Sequence, residues 1–203
     1  MRILGITILA LGAICFAIPE SSAKGILGER TFGVDGGWER WENGDSDDGW
    51  GVGVELNIPG PLPTDSTFGM DLNVRGDYID IFDRDVFDVS GTLRAYMTPP
   101  DLMIKPFVGA GFGWADLDFD DTTYIPVEGG LEFSFGDAAI LPFFRYNFAL
   151  ESGFDDFWSV GAKGVYWINE VWGITASGDY TDYDDLAGVK EGWTVRAGLV
   201  LSY

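Results

Sequence analysis

The carboxyl-terminal stretch Trp193-Thr-Val-Arg-Ala-Gly-Leu-Val-Leu-Ser-Tyr203 alternates between two kinds of side chain. Successive residues of an extended strand point to opposite faces. Trp193, Val195, Ala197, Leu199, Leu201 and Tyr203 therefore share one side, and Thr194, Arg196, Gly198, Val200 and Ser202 share the other. The same two-residue rhythm recurs in nine segments upstream, and this repetition constrains the fold more than any other feature of the chain. A helix repeats its apolar positions every three or four residues, so a chain patterned this way throughout is sheet.

The first segment, Arg30 to Glu42, sets Phe32, Val34 and Trp38 on one side, and its Gly36-Gly37 pair predicts a bulge. The second alternates Trp50, Val52, Val54, Leu56 and Ile58 with Gly51, Gly53, Glu55 and Asn57. The third sets Leu72 and Val74 against Asp71, Arg75 and Asp77, and the fourth sets Val89 and Leu93 against Asp88 and Arg94. In the fifth, Val108 and Phe112 oppose Lys105 and Phe107; in the sixth, Val127 and Leu131 oppose Glu128 and Glu132. The seventh sets Phe144 and Tyr146 against Arg145 and Asn147. The eighth is less regular: Val160 and Ala162 oppose Ser159 and Lys163, but Val165 and Trp167 fall on the polar side. The ninth sets Ile174 and Ala176 against Ser177 and Asp179, and the terminal segment makes ten. Eight is the alternative count, because the first and eighth patterns are the weakest.

The connections sort as well. Four are turn-like: Pro59 to Ser66, Thr98 to Leu102, Gly136 to Ala138, and the turn around Asn169-Glu170. The five between them are acidic: Asp45 to Asp48, Asp80 to Asp85, Asp116 to Asp121, Glu151 to Asp156, and Asp182 to Asp185. In an up-and-down meander with an even strand number, alternate connections emerge at the same end. The acidic connections then share one rim and both termini lie at the other. The expectation is an all-β, antiparallel, up-and-down transmembrane β-barrel, with short turns at the terminal end and more prominent loops at the acidic end.

The amino terminus predicts an export signal over residues 1–23, with Arg2 as positive start, Ile3 to Ile18 as apolar core and Ser21-Ser-Ala23 before the cut. The barrel domain is then 24–203, and it lacks the only cysteine, Cys15. That form has no disulfide, thiolate metal site or cysteine nucleophile. It carries 32 acidic and 11 basic residues, because 1–23 removes only Glu20 and Arg2. A net charge of −21 opposes nucleic-acid binding, since phosphates need neutralising. No stretch of the domain reaches the roughly 18 consecutive apolar residues of a spanning helix.

Alternation alone also fits a soluble, lipocalin-like ligand-binding barrel with a greasy interior. Export, near-continuous alternation over ten segments and the terminal Tyr203 favour an apolar exterior, with the soluble barrel as the alternative, and the polar face then lines the interior. It carries Arg75, Arg94, Lys105, Arg145, Lys163 and Arg196 together with Glu55, Asp71, Asp77, Glu128, Glu132 and Asp179. These twelve are the candidate lumen charge network, six of each sign and able to pair, since isolated buried charges are expensive. Aromatic residues near segment ends, among them Trp50, Tyr78, Trp114, Trp158, Trp172, Tyr180 and Trp193, match interfacial girdles.

Two stretches carry a resemblance: Lys105-Pro-Phe-Val-Gly-Ala-Gly-Phe-Gly-Trp114, and the terminal Leu199-Val-Leu-Ser-Tyr203. Over residues 30–203 the chain resembles the small outer-membrane β-barrel superfamily of Gram-negative-type bacteria, which includes opacity-like proteins and the membrane domain of outer membrane protein A. The resemblance implies an outer-membrane location, contact with lipid and lipopolysaccharide, and recognition of the strand ending at Tyr203 by the barrel-assembly machinery. Common members have eight strands, so ten is a departure toward the omptin-type count. No catalytic position carries over, because the enzymes of this shape rely on histidine and this chain has none.

Three functions follow as expectations. The first is a plugged barrel serving envelope structure or surface interaction, with no catalysis and no cofactor. The second is a narrow, cation-preferring pore, for which inward Gly51, Gly53, Gly69, Gly109, Gly111, Gly113 and Gly130 leave room. The third adds divalent cations at the acidic connections, with Asp116, Asp118, Asp120 and Asp121 as the densest run, joined by Asp45, Asp47, Asp48, Asp182, Asp184 and Asp185.

Overall fold

The computed structural model describes residues 24–43, 45–61, 67–81, 84–98, 103–117, 121–151, 154–186 and 189–203. The expected export segment, Asp118, Asp120, the 62–66 part of the first turn and the 99–102 part of the second lie outside the described residues, as do the side chains of Asp45, Asp184 and Asp185.

Ten antiparallel strands follow in order: β1 (Thr31–Asn43), β2 (Asp45–Pro59), β3 (Phe68–Ile81), β4 (Arg84–Met97), β5 (Ile104–Asp116), β6 (Asp121–Phe135), β7 (Ala138–Ala149), β8 (Phe157–Trp167), β9 (Trp172–Leu186) and β10 (Val189–Ser202). Each pairs with its sequence neighbours, and β10 returns to β1 from Thr31↔Ser202 to Glu42↔Glu191, closing the barrel. Closure removes the free edges that a sheet otherwise exposes.

Two local expectations are corrected. Pairing runs without a break through Gly36↔Ala197 and Gly37↔Arg196, so the glycine pair makes no bulge. Gly36 simply takes an outward place and Gly37 an inward one; a Cβ on Gly37 would collide with the Val195 backbone. The register shift falls instead between Val189 and Glu191 of β10. It lets Val189, which strict alternation would place outside, join the buried luminal side chains. The second correction concerns the acidic connections. β1 and β2 are separated by residue 44 alone, β3 and β4 by 82–83, and β9 and β10 by 187–188. Much of the first, second and fifth acidic runs is strand, because the ladder continues past the apolar band and pairs Asp80 with Asp85. In the third it reaches only the end pair Asp116 and Asp121, and in the fourth residues 154–156 are outside any strand. Continued pairing satisfies backbone groups, and like charges facing one another at a wet rim are screened.

The turn between β6 and β7 is tight, and Gly136 adopts φ 57° there, a left-handed conformation that favours glycine.

Polarity is inverted relative to a soluble domain. Outward Val108 is 65% exposed and Leu199 53%, whereas inward Asp71 and Glu132 are fully buried. A soluble lipocalin-like barrel has the opposite arrangement, so that alternative is set aside. Such a surface is stable against hydrocarbon, and strands of 11 to 15 residues meet or exceed the roughly 9–11 that cross a bilayer.

Candidate functional site: the lumen and its two ends

The alternation that greases the outside concentrates charge within. Arg75 of β3 donates to Asp35 of β1 at 3.0 Å, Glu55 of β2 at 3.2 Å and Asp77 at 2.8 Å. Glu55 also takes Lys163 of β8 at 2.6 Å, a bond reaching across the lumen. Arg196 of β10 pairs with Glu39 at 2.6 Å, with Asp35 at 3.5 Å and closely with Asp77. Smaller groups flank this cluster. Arg94 meets Asp71 at 2.7 Å and the Asn57 carbonyl oxygen at 2.7 Å, Lys105 meets Glu132 at 2.9 Å, and Arg145 meets Glu128 at 2.7 Å. Asp179 of β9 lines the central cavity and makes no hydrogen bond or ion pair with another described residue.

All twelve charges read from the sequence face the lumen, and three more carboxylates join them. Asp35 and Glu39 occupy inward positions of β1, where the suspected bulge obscured the alternation. Asp88 of β4 accepts from the Tyr124 hydroxyl at 2.6 Å. The six cations thus face nine carboxylates, the six read from the sequence and these three. The inward glycines leave little room. A Cβ at Gly53 would lie 2.6 Å from the Arg75 guanidinium, and one at Gly51 2.8 Å from that of Arg196. Gly69 and Gly113 receive the rings of Tyr96 and Tyr124. The space beside these glycines is taken by neighbouring side chains and backbone.

At the terminal end, residues 24–29 cross the barrel mouth. The Lys24 amide donates to the Gly136 carbonyl at 3.1 Å, and its ammonium sits 3.9 Å from the Trp167 ring centroid. The chain then enters the lumen. The amides of Ile26 and Leu27 donate to one oxygen of Glu132 at 2.8 and 2.6 Å, and that of Gly28 donates to Asp71 at 2.9 Å. Gly28 turns the chain back with φ 79°, and any Cβ there would strike the Tyr96 hydroxyl. The Asn57 amide donates to the Glu29 carbonyl at 2.7 Å as the chain joins β1. Ile26 and Leu27 cluster with Phe107, Leu141, Val165, Trp167 and Val200 of the wall. Val165 and Trp167 are the residues that spoiled the polar face of the eighth segment; their irregularity is the mark of this seal. Glu29 lies outside the spanning strands, and burial raises its carboxyl above the usual 4.5, opposed by Lys24 and Lys105.

At the acidic end the lumen is crossed by rings that belong to the strands themselves. Trp41 of β1 packs on Tyr183 of β9 at 5.7 Å, Tyr183 stacks on Phe157 of β8 at 5.8 Å, and Phe157 meets Tyr124 of β6 edge-on at 5.4 Å. Ile81, Val86, Leu117 and Val189 fill around them. Between the two apolar layers lies a cavity of about 250 Å³.

Outside, near the acidic rim, aromatic donors pair with carboxylates. The Trp50 indole donates to Asp80 and the Trp114 indole to Asp121, each at 3.1 Å, and the Tyr180 hydroxyl donates to Glu191 at 2.8 Å. Among the described residues no group of three or more histidine, cysteine or acidic side chains is arranged to hold a metal ion.

No protein-family model matches the chain, and no curated protein matches it. Solved structures do. Neisserial surface protein A is 11% identical, with 90% of this chain and all of that one covered, at a TM-score of 0.42. The outer membrane protease OmpT from Escherichia coli is 9% identical, covering 90% of this chain and 99% of its own, at 0.47. The outer membrane protein OprG from Pseudomonas aeruginosa is 12% identical, covering 87% and 97%, at 0.33. The chain has the fold of an outer-membrane β-barrel. That statement rests on its own closure and inverted polarity, and it places the protein in the outer membrane.

Proposed function

We propose that this protein is an integral outer-membrane barrel whose lumen is closed at rest, serving the envelope as a structural or surface-contact element rather than as an open pore. The observation that carries the proposal is the pairing of two apolar layers, one across each end, with a cross-lumen ion network between them. Small barrels have interiors just wide enough for side chains to fill, and here charged side chains and rings take up the space the glycines yield. Lipid and lipopolysaccharide at the girdle, and the assembly machinery at the strand ending in Tyr203, are its expected partners.

A second reading, a narrow cation-preferring path, is favoured by the excess of luminal carboxylates and by the cavity. Recording the refolded chain, from Lys24 onward, in planar bilayers separates the two. A closed barrel gives a silent membrane under steady voltage. Discrete, reproducible openings with cation preference would replace the first reading by the second.

A further inference from the structure

We propose that residues 24–29 are a releasable periplasmic stopper, and that their release opens the lumen to the periplasm alone, as a blind chamber that admits small cations. The inference rests on the closed-lumen reading and adds which end gives way and what enters.

The two seals differ in how they are attached. The rings at the outer end sit on β1, β6, β8 and β9, each held by ladders on both sides, so that layer cannot leave without dismantling the sheet. The stopper makes no ladder. Apart from the Lys24 amide on the Gly136 carbonyl, its backbone is held by side chains of the wall: Glu132, Asp71, Asn57 and Lys105.

Those holders are arranged to survive its departure. Glu132 spends one oxygen on the amides of Ile26 and Leu27, while its other oxygen keeps Lys105 at 2.9 Å and the Ser134 hydroxyl at 2.7 Å. Asp71 likewise gives one oxygen to Gly28 and the other to Arg94. Withdrawal therefore leaves both Glu132 and Asp71 with their cations, and avoids the costly outcome of a broken buried pair. Water entering behind the segment can take over the vacated lone pairs. What opposes release is the rewetting of Ile26, Leu27 and the wall residues around them. The indole N–H of Trp167, buried in this layer, has no hydrogen-bond partner among the described residues, so the seal is not fully satisfied even when shut.

Behind the stopper lies the cavity, where Asp179 makes no hydrogen bond or ion pair with another described residue. With six cations against nine carboxylates in the strands, the chamber attracts positive solutes and repels negative ones. The chemical class admitted is a small inorganic or ammonium-type cation.

The chain from Lys24 onward has no cysteine, so one thiol reports access. Ser177→Cys places it on the cavity wall. Its modification by methanethiosulfonate reagents of similar size, one bearing an ammonium and one a sulfonate, is timed on the refolded barrel. Each rate is taken relative to the same thiol in the unfolded chain. The expected result is slow reaction in the parent and a roughly tenfold or greater acceleration when Leu27→Asp is added, as for any local opening made more frequent. The ammonium reagent should lead, and heat-modifiable migration should show that the barrel is intact. Gly28→Val, which breaks the turn while leaving Ile26 and Leu27 in place, gives the same comparison should Leu27→Asp not refold.

Equal rates with and without the stopper substitution would overturn the proposal, as would a lead by the sulfonate reagent. Steady current through the Leu27→Asp barrel would show the chamber is not blind, and overturns it too. Current through the parent barrel is a different failure, because it removes the closed-lumen reading itself.

Discussion

The two ends of the lumen are closed by the same kind of side chain but by different kinds of attachment. At the acidic end, Trp41, Tyr183, Phe157 and Tyr124 form a row of rings anchored on four strands. At the end that carries the termini, proposed above to face the periplasm, Ile26 and Leu27 arrive on a segment outside the sheet and are held by hydrogen bonds to its backbone. A seal built from strands shares the cooperativity of the whole barrel. A seal carried on a tethered segment has its own, smaller opening free energy. Local and global stability should therefore separate at one end and coincide at the other.

The severest challenge to that contrast is to remove what lies between the ends. Arg196→Met strips from Glu39, which is 1% exposed, its ion-pair partner among the described residues, and leaves Asp35 and Asp77 with Arg75 alone. Uncompensated buried charge costs about 3–5 kcal/mol, and both ends should loosen together. Denaturant unfolding of the refolded barrel, followed by tryptophan emission, measures the loss. A shift below about 1 kcal/mol would mean that water already solvates these carboxylates.

The next test compares the seals directly. Ile81 is 1% exposed in the outer layer, and Leu27 is 2% exposed in the stopper. Truncating a buried leucine or isoleucine to alanine costs about 2–5 kcal/mol where the site cannot escape. Ile81→Ala should show that full cost in global unfolding. Leu27→Ala should show less, because the loss cannot exceed the free energy with which the segment docks. Its effect should appear instead as faster amide exchange at Ile26 and Leu27, with the rest of the barrel unchanged. Equal shifts in global stability would erase the distinction between the ends.

How far these ends could be read from the chain follows from where alternation holds. Strand number, antiparallel order, outward faces and the sorting of termini from acidic connections all come from a period of two, which any lipid-facing barrel must keep. The network positions followed from the same rule, except at β1, where Gly36-Gly37 looked like a break and hid Asp35 and Glu39. The seals were written as exceptions: Phe107, Val165, Trp167 and Val200 on the polar side near one end, Tyr124 and Tyr183 near the other. An apolar residue facing inward near a strand end signals something to pack against, but not what. For the periplasmic seal the partner is Ile26-Leu27, a pair with no periodicity of its own. Its place depends on two amides reaching a carboxylate more than a hundred positions away, and pattern cannot foresee that.

The smallest effect, and the one most specific to the periplasmic end, comes from pH. Glu29 ends the stopper, and burial holds its carboxyl above the ordinary 4.5, with Lys24 and Lys105 favouring the charged form and Glu132 opposing it. A carboxyl whose folded value is raised binds its proton more tightly in the closed state than in the released one. The closed state therefore gains from this group below the ordinary value, and the gain is lost as pH rises through the raised one. Acid should tighten the stopper and neutral pH relax it, the reverse of the acid loosening expected where paired carboxylates must protonate. The measurement is the modification rate of Ser177→Cys between about pH 5 and pH 7, normalised at each pH to the unfolded thiol. The normalised rate should rise with pH, and Glu29→Gln should flatten it. A slope that survives Glu29→Gln would assign the effect to the luminal carboxylates, and the periplasmic end would then lose the one titration that distinguishes it from the outer end.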